Sequence, residues 1–199
     1  MIRVFGLDLS LSNSGIAGFT SESERPWLSF VASEPVGESI ELLADRIHAA
    51  TSEVYTKITR LVQPGDDVLI VFEGPAPAAA AASGRGKPDE RAGMRWILTV
   101  AFRRAGYRLV YVKPNTAKKY WTDNGNASKA LMLGWARRRY AALGVGIRDH
   151  NQADALALAH MGASHSGIVP TPLPPLVNST LLDGIDWPTQ HNAGGTTHG

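Results

Sequence analysis

The chain has 199 residues, 44% of them hydrophobic, and a net charge of +2, enough for one domain with a full core and too little for more than a very small second one. It has no cysteine and no H-x-x-x-H pair among its six histidines, which excludes disulfide scaffolds and thiolate zinc sites, so any metal is held by oxygen, as Mg²⁺ or Mn²⁺ prefers. No stretch approaches the roughly 20 apolar residues of a membrane span, and Met1-Ile2-Arg3-Val4-Phe5 enters a strand with no charged-then-apolar leader, so a soluble, cytoplasmic protein without a membrane partner is expected.

Ile2 to Leu9 is apolar and β-prone, Gly15 to Thr20 follows a Ser/Asn/Gly turn, and Trp27 to Ala32 is a third short run, which together predict an antiparallel meander. From Glu38 to Val62, Ile40, Leu43, Ala44, Ile47, Ala50, Val54, Ile58 and Leu61 recur at helical spacing until Pro64-Gly65 stops them. Val68 to Phe72 is continuously apolar, as in a strand buried on both faces, and its place after a helix predicts a parallel crossover. A helix over Asp89 to Ala105, a strand over Tyr107 to Val112, and helices over Thr116 to Trp121, Ala127 to Ala142 and Asn151 to Ala163 follow. The order βββαβαβααα predicts an α/β domain over residues 1–164: a five-stranded mixed sheet, three strands antiparallel and then two parallel, with helices on both faces.

Two segments stand apart. Gly74 to Lys87 is low-complexity (Gly-Pro-Ala-Pro, five Ala, Ser-Gly-Arg-Gly-Lys) and is expected to form a mobile loop beside Glu73. Residues 165–199 are rich in Pro, Gly, Thr, His and Asn and read as a disordered or loosely docked tail, with Leu181, Leu182, Ile185 and Trp187 as anchors to the domain or to a partner.

Three acids carry the chemical signal. Asp8 and Glu73 each end an apolar β-type run, and Asp154 lies near the start of a small-residue helix. Half-buried carboxylates are costly unless paired or holding a metal, and none of the three has a matched cation nearby in sequence, so a divalent ion acting on phosphate is indicated. Taken singly, each has a plain structural role: a strand-end turn for Asp8, an exposed strand terminus for Glu73, a dipole-favoured first-turn carboxylate for Asp154.

Gly6-Leu7-Asp8-Leu9-Ser10-Leu11-Ser12-Asn13-Ser14-Gly15 and Asn151-Gln152-Ala153-Asp154-Ala155-Leu156-Ala157-Leu158-Ala159 resemble the first-strand and last-helix motifs of the RuvC family of Holliday-junction resolvases, within the ribonuclease-H-like superfamily. Val112-Lys113-Pro114 through Lys118-Lys119 and Gly125-Asn126-Ala127-Ser128-Lys129 resemble the basic stretch that follows the family's fifth strand, and the likeness runs from Ile2 to Ala163. It implies a ribonuclease-H-like fold and an endonuclease that nicks four-way DNA junctions symmetrically with Mg²⁺ or Mn²⁺, two ions per site and no nucleotide cofactor. In that scheme Asp8 bridges the ions, Glu73 serves the water-activating one and Asp154 the other. The family generally has an acid or histidine three residues before the last aspartate, where this chain has Asn151, which offers a carbonyl oxygen but takes no proton. His150, one turn before Asp154, or Asp149 supplies the missing function, although Asp149 with Gln152 three residues on reads equally as a helix cap.

Lysines and arginines cluster after Gly84, which suits a polyanionic partner. Lys113, Lys118, Lys119 and Lys129, with Arg85 and Lys87 in the loop, are candidate phosphate contacts, whereas Arg137-Arg138-Arg139 point around a helix axis and read as solvated surface. Gly74 to Lys87 has no aromatic of the kind that RuvC proteins often carry there to stack in the opened junction. Paired nicks imply a C2 homodimer, for which Met94, Trp96, Ile97, Val100 and Phe102 mark the candidate interface. Two other readings stay open: a ribonuclease-H-like nuclease for flaps, other branched intermediates or RNA–DNA hybrids, and a branched-DNA binder that has lost catalysis. An actin-like ATPase start resembles the first motif, but the chain is too short for the duplicated domain such proteins need.

Overall fold

A computed structural model describes residues 1–37, 39–75, 88–169 and 179–189. The strands are β1 (Ile2–Asp8), β2 (Asn13–Thr20), β3 (Ser23–Ala32), β4 (Asp67–Glu73) and β5 (Arg108–Val112). The helices are α1 (Ile40–Thr59), α2 (Pro88–Arg104), α3 (Pro114–Thr122), α4 (Lys129–Tyr140) and α5 (His150–His165), with 3-10 turns at Ala141–Leu143 and Ser179–Gly184. The sheet runs β3-β2-β1-β4-β5. β1, β2 and β3 are antiparallel neighbours, while β1, β4 and β5 are parallel ones, so the meander and the crossover are both as expected.

Period-two alternation divides the core into two layers. Val68, Ile70 and Phe72 face α1 and α2 with Phe5, Leu7, Val54, Ile58, Leu98 and Phe102. Leu69 and Val71 face the other way with Val4, Phe19, Trp121, Tyr140 and the apolar residues of α5. Apart from half-buried Asp154, α5 is buried from Gln152 to Ala163, which is why that stretch is largely apolar all round rather than striped.

The ends of the elements follow their capping chemistry. Ser39, Ser128 and Asp149 each accept a hydrogen bond from the backbone N–H three residues on, starting α1, α4 and α5. Pro114 occupies the first turn of α3, where its missing N–H costs nothing, so that helix starts earlier than Thr116. β3 starts at Ser23 rather than Trp27 because it is an edge strand, where Pro26 is tolerated.

Within the tail, Leu181, Leu182, Ile185 and Trp187 pack against the α5-side core, and the Trp187 ring stacks on His165 at 4.4 Å between centroids. Among the described residues no helix is long and apolar enough to cross a membrane.

Candidate carboxylate site

The sheet itself brings two of the acids together. β1 and β4 are parallel neighbours with Leu7 opposite Phe72, so the next residues, Asp8 and Glu73, emerge side by side at the same sheet end. Strand parity aims both at the α5 face, since Asp8 follows Val4 and Gly6, and Glu73 follows Leu69 and Val71. α5 brings the third. A β-carbon on Gly6 would stand 2.2 Å from the Ala155 carbonyl oxygen, and one on Gly15 would stand 2.1 Å from that of Asn151. Only glycine lets the helix backbone lie this close, and that closeness sets Asp154 against the strand ends.

The acids act on one another electrostatically. Burial pushes the Asp8 carboxyl well above its usual range, with Glu73 and Asp154 adding to the rise and Arg91 and Lys129 opposing it. Burial and then Glu73 raise Asp154 to about 7, against the pull of Lys118, Lys129 and Arg91. Asp154 Oδ1 is buried and has no hydrogen-bond partner among the described residues. Among those residues no three His, Asp or Glu side chains form a ready-made metal cage.

A search of family models returns no match to the sequence, and a search of curated sequences returns none either. Solved structures do match. A Thermus thermophilus RuvC structure superposes with a TM-score of 0.55 at 22% identity, covering 83% of this chain and 97% of that one. T. thermophilus RuvC in complex with a Holliday junction substrate gives 0.52 at 23% identity, covering 84% of this chain and 98% of that one. The chain has the RuvC fold. This is the ribonuclease-H-like architecture implied by the resemblance of its two end motifs.

Within the RuvC fold, the residues around the acids divide by what they touch. Asp149 caps α5 through Gln152 N–H at 3.0 Å and also meets the Asn13 amide and the Arg148 guanidinium, so its oxygens serve the helix start. Gln152 returns the contact by accepting from Arg148 N–H at 2.9 Å. His150 accepts at Nε2 from the Lys129 ammonium at 2.9 Å, which leaves the ring proton on Nδ1. Burial and then Lys129 hold its pKa below the ordinary histidine value. Asn151 sits in the first turn of α5, with its backbone carbonyl against Gly15.

Of the candidate phosphate contacts, Lys118 and Lys129 act directly on the acids. Lys113 borders a cleft of about 440 Å³ lined also by Gly74, Tyr111 and Thr116, while Lys119 is exposed on α3. Arg85 and Lys87 lie outside the described residues, as does the loop from 76 onward. Arg137 and Arg138 are exposed, as the sequence implies, and Arg139 is half-buried. Arg137 donates to the carbonyls of Ile147 and Arg148, Arg138 lies over the Trp135 ring, and Arg139 donates to His160.

The residue that sequence reasoning missed is Arg91. Its Nη2 stands 2.9 Å from Glu73 Oε2 and 3.6 Å from Asp8 Oδ1, and its Nε donates to the Leu9 carbonyl at 2.9 Å. A cation in the first turns of a helix opposes the helix dipole, and at Arg91 that was the one local signal that another partner compensates.

Proposed function

We propose that the protein is a metal-dependent endonuclease of branched DNA that resolves four-way junctions by symmetric nicking. The carrying observation is the convergence of Asp8, Glu73 and Asp154 at one sheet end of a RuvC fold. A divalent cation suits this donor set: all three are hard oxygen ligands, and the buried Asp154 Oδ1 lacks a partner among the described residues. Asp8, Glu73 and Asp154 would hold Mg²⁺ or Mn²⁺, up to two ions, with the Asn151 side-chain carbonyl as a further ligand. Bound there, such ions supply an activated water and charge that stabilises the leaving oxygen of a phosphodiester.

The chain's own residues do the rest. Asp8, whose carboxyl is raised by burial and then by Glu73 and Asp154, would be the carboxylate most in need of the cation's charge. His150, one turn before Asp154 on α5, would accept a proton at Nε2 once Lys129 turns from it to a phosphate. Lys113, Lys118, Lys119 and Lys129, with Arg85 and Lys87, contact phosphates and make binding fall with salt. On α2, Met94 and Phe102 belong to the core, but Trp96, Ile97 and Val100 are 61%, 44% and 47% exposed, which supports α2 as the homodimer face.

The test is cleavage of a labelled mobile four-way junction with Mg²⁺ or Mn²⁺, beside linear duplex, a flap and an RNA–DNA hybrid, with a chelator control. Paired symmetric nicks confined to the junction are expected. Cutting of the flap or hybrid instead moves the substrate and keeps the metal site, and metal-independent binding with no cutting is the result that Asn151 in place of an acid would produce in an inactive binder.

A further inference from the structure

Asp8 and Glu73 are adjacent acids, and one of them is nearly sealed from water. Such a pair needs a positive charge between its members, and in this structure the Arg91 guanidinium provides it. Its Nη2 reaches oxygens of both carboxylates, Oε2 of Glu73 and Oδ1 of Asp8. Its Nε is engaged elsewhere, on the Leu9 carbonyl just beyond β1. The guanidinium therefore has two ends with different tasks: one fixed to the backbone, the other spanning the acids. The side chain is 36% exposed, so the spanning end has a path into solvent.

We propose that Arg91 is the resident counter-cation of this site: its Nη2 spans Asp8 and Glu73 in the metal-free protein and must leave them before a divalent ion is held there, while Nε stays on Leu9. The two oxygens cannot serve a guanidinium nitrogen and a dication together without setting like charges side by side. Arg91 thus competes with the metal while holding the empty carboxylates in place. Withdrawn by rotation about its tethered Nε, the freed end faces solvent beside the acids, where a phosphate oxygen is its natural partner. The proposal rests on the metal site put forward above and adds to it a residue that sets the ion affinity.

Calorimetric titration of Mn²⁺ into the full-length wild type and Arg91→Gln tests it. Glutamine removes the charge and keeps a donor for Leu9. Arg91→Gln is expected to bind Mn²⁺ about tenfold tighter, the scale of one partly exposed charge-assisted pair removed from competition. Without metal it is expected to melt at a lower temperature than wild type, and the stabilisation it gains from Mn²⁺ is expected to be larger. Equal or weaker binding by Arg91→Gln, with binding by wild type, overturns the role of Arg91 and leaves the metal site standing; no binding by either protein overturns both. If the variant does not fold, NMR of the wild-type arginine side chains reads the same event. With Mg²⁺ the Arg91 Nη groups are expected to pass from slow to fast rotation while the Nε–H signal persists, and Nη signals unchanged at saturating Mg²⁺ overturn the proposal.

Discussion

Gly15 and Asn151 meet backbone to backbone: a β-carbon on the strand residue would lie 2.1 Å from the carbonyl oxygen of the helix residue. That contact sets the height of α5 over the sheet, and with it the distance of Asp154 from Asp8. Gly15→Ala is therefore expected to cost about 3 kcal/mol, at the upper end for overpacking because the clash is with backbone. It should also abolish cleavage at temperatures where the protein remains folded. Gly93→Ala on α2 is the control, since nothing lies within 4 Å of its added carbon. It should leave stability unchanged or raise it by up to ~1 kcal/mol, and urea unfolding of both variants beside cleavage assays separates the two effects.

Asp8→Asn removes the acid that both Glu73 and Asp154 act upon. Single-turnover cleavage of a junction should fall by roughly a thousandfold or more, equivalent to about 4 kcal/mol of barrier. Binding of the same junction, measured by gel shift, should persist or tighten as repulsion of phosphate is reduced. Wild-type cleavage by this variant would remove Asp8 from the site.

The pH dependence of the metal-free protein follows from Asp154, whose carboxyl is raised from 3.8 to about 7. The folded state holds a proton there that the unfolded state has released, so this group's stabilising contribution is complete below 3.8 and is lost as pH rises through 7. His160, lowered from 6.5 to about 3 by burial and Arg139, acts oppositely, and its contribution is lost as pH falls from 6.5 toward 3. Between about pH 4 and 7, Asp154→Asn should remove a slope of ~1.4 kcal/mol per pH unit at most. Mn²⁺ affinity of the wild type should weaken as pH drops below 7, because a proton then competes for Asp154. Denaturant melts and calorimetry across that range read both effects.

Trp96 is the most exposed large apolar side chain on α2. Trp96→Glu, which leaves the inward-facing Met94, Leu98 and Phe102 untouched, should change the fold's stability by about 0.5 kcal/mol or less as measured on the monomer. Analytical ultracentrifugation should show dimer converted to monomer, and junction nicks should become unpaired. An unchanged mass would place the self-association face elsewhere.

Much of this architecture was legible from local pattern. The unbroken apolar run from Val68 to Phe72 marks a strand buried on both faces, and strand parity aims Glu73 at the α5 face. That Gly6 and Gly15 let the α5 backbone approach the strands emerged only from the structure. The partners of the arginines were read least well. Arg137 and Arg139 serve as hydrogen-bond donors to a loop and to a buried histidine, partners that no helical spacing reveals.

By itself, then, the sequence determined the element order, the faces of the strands and the ends at which Asp8, Glu73 and Asp154 stand, because periodicity and capping are properties of neighbouring residues. Tertiary structure alone decided that Lys129 covers His150 and that Arg91 reaches from α2 to Asp8 and Glu73. Those outcomes depend on how segments distant in the chain are packed. A side chain long enough to cross between elements takes its partner from that packing, and no local pattern records it.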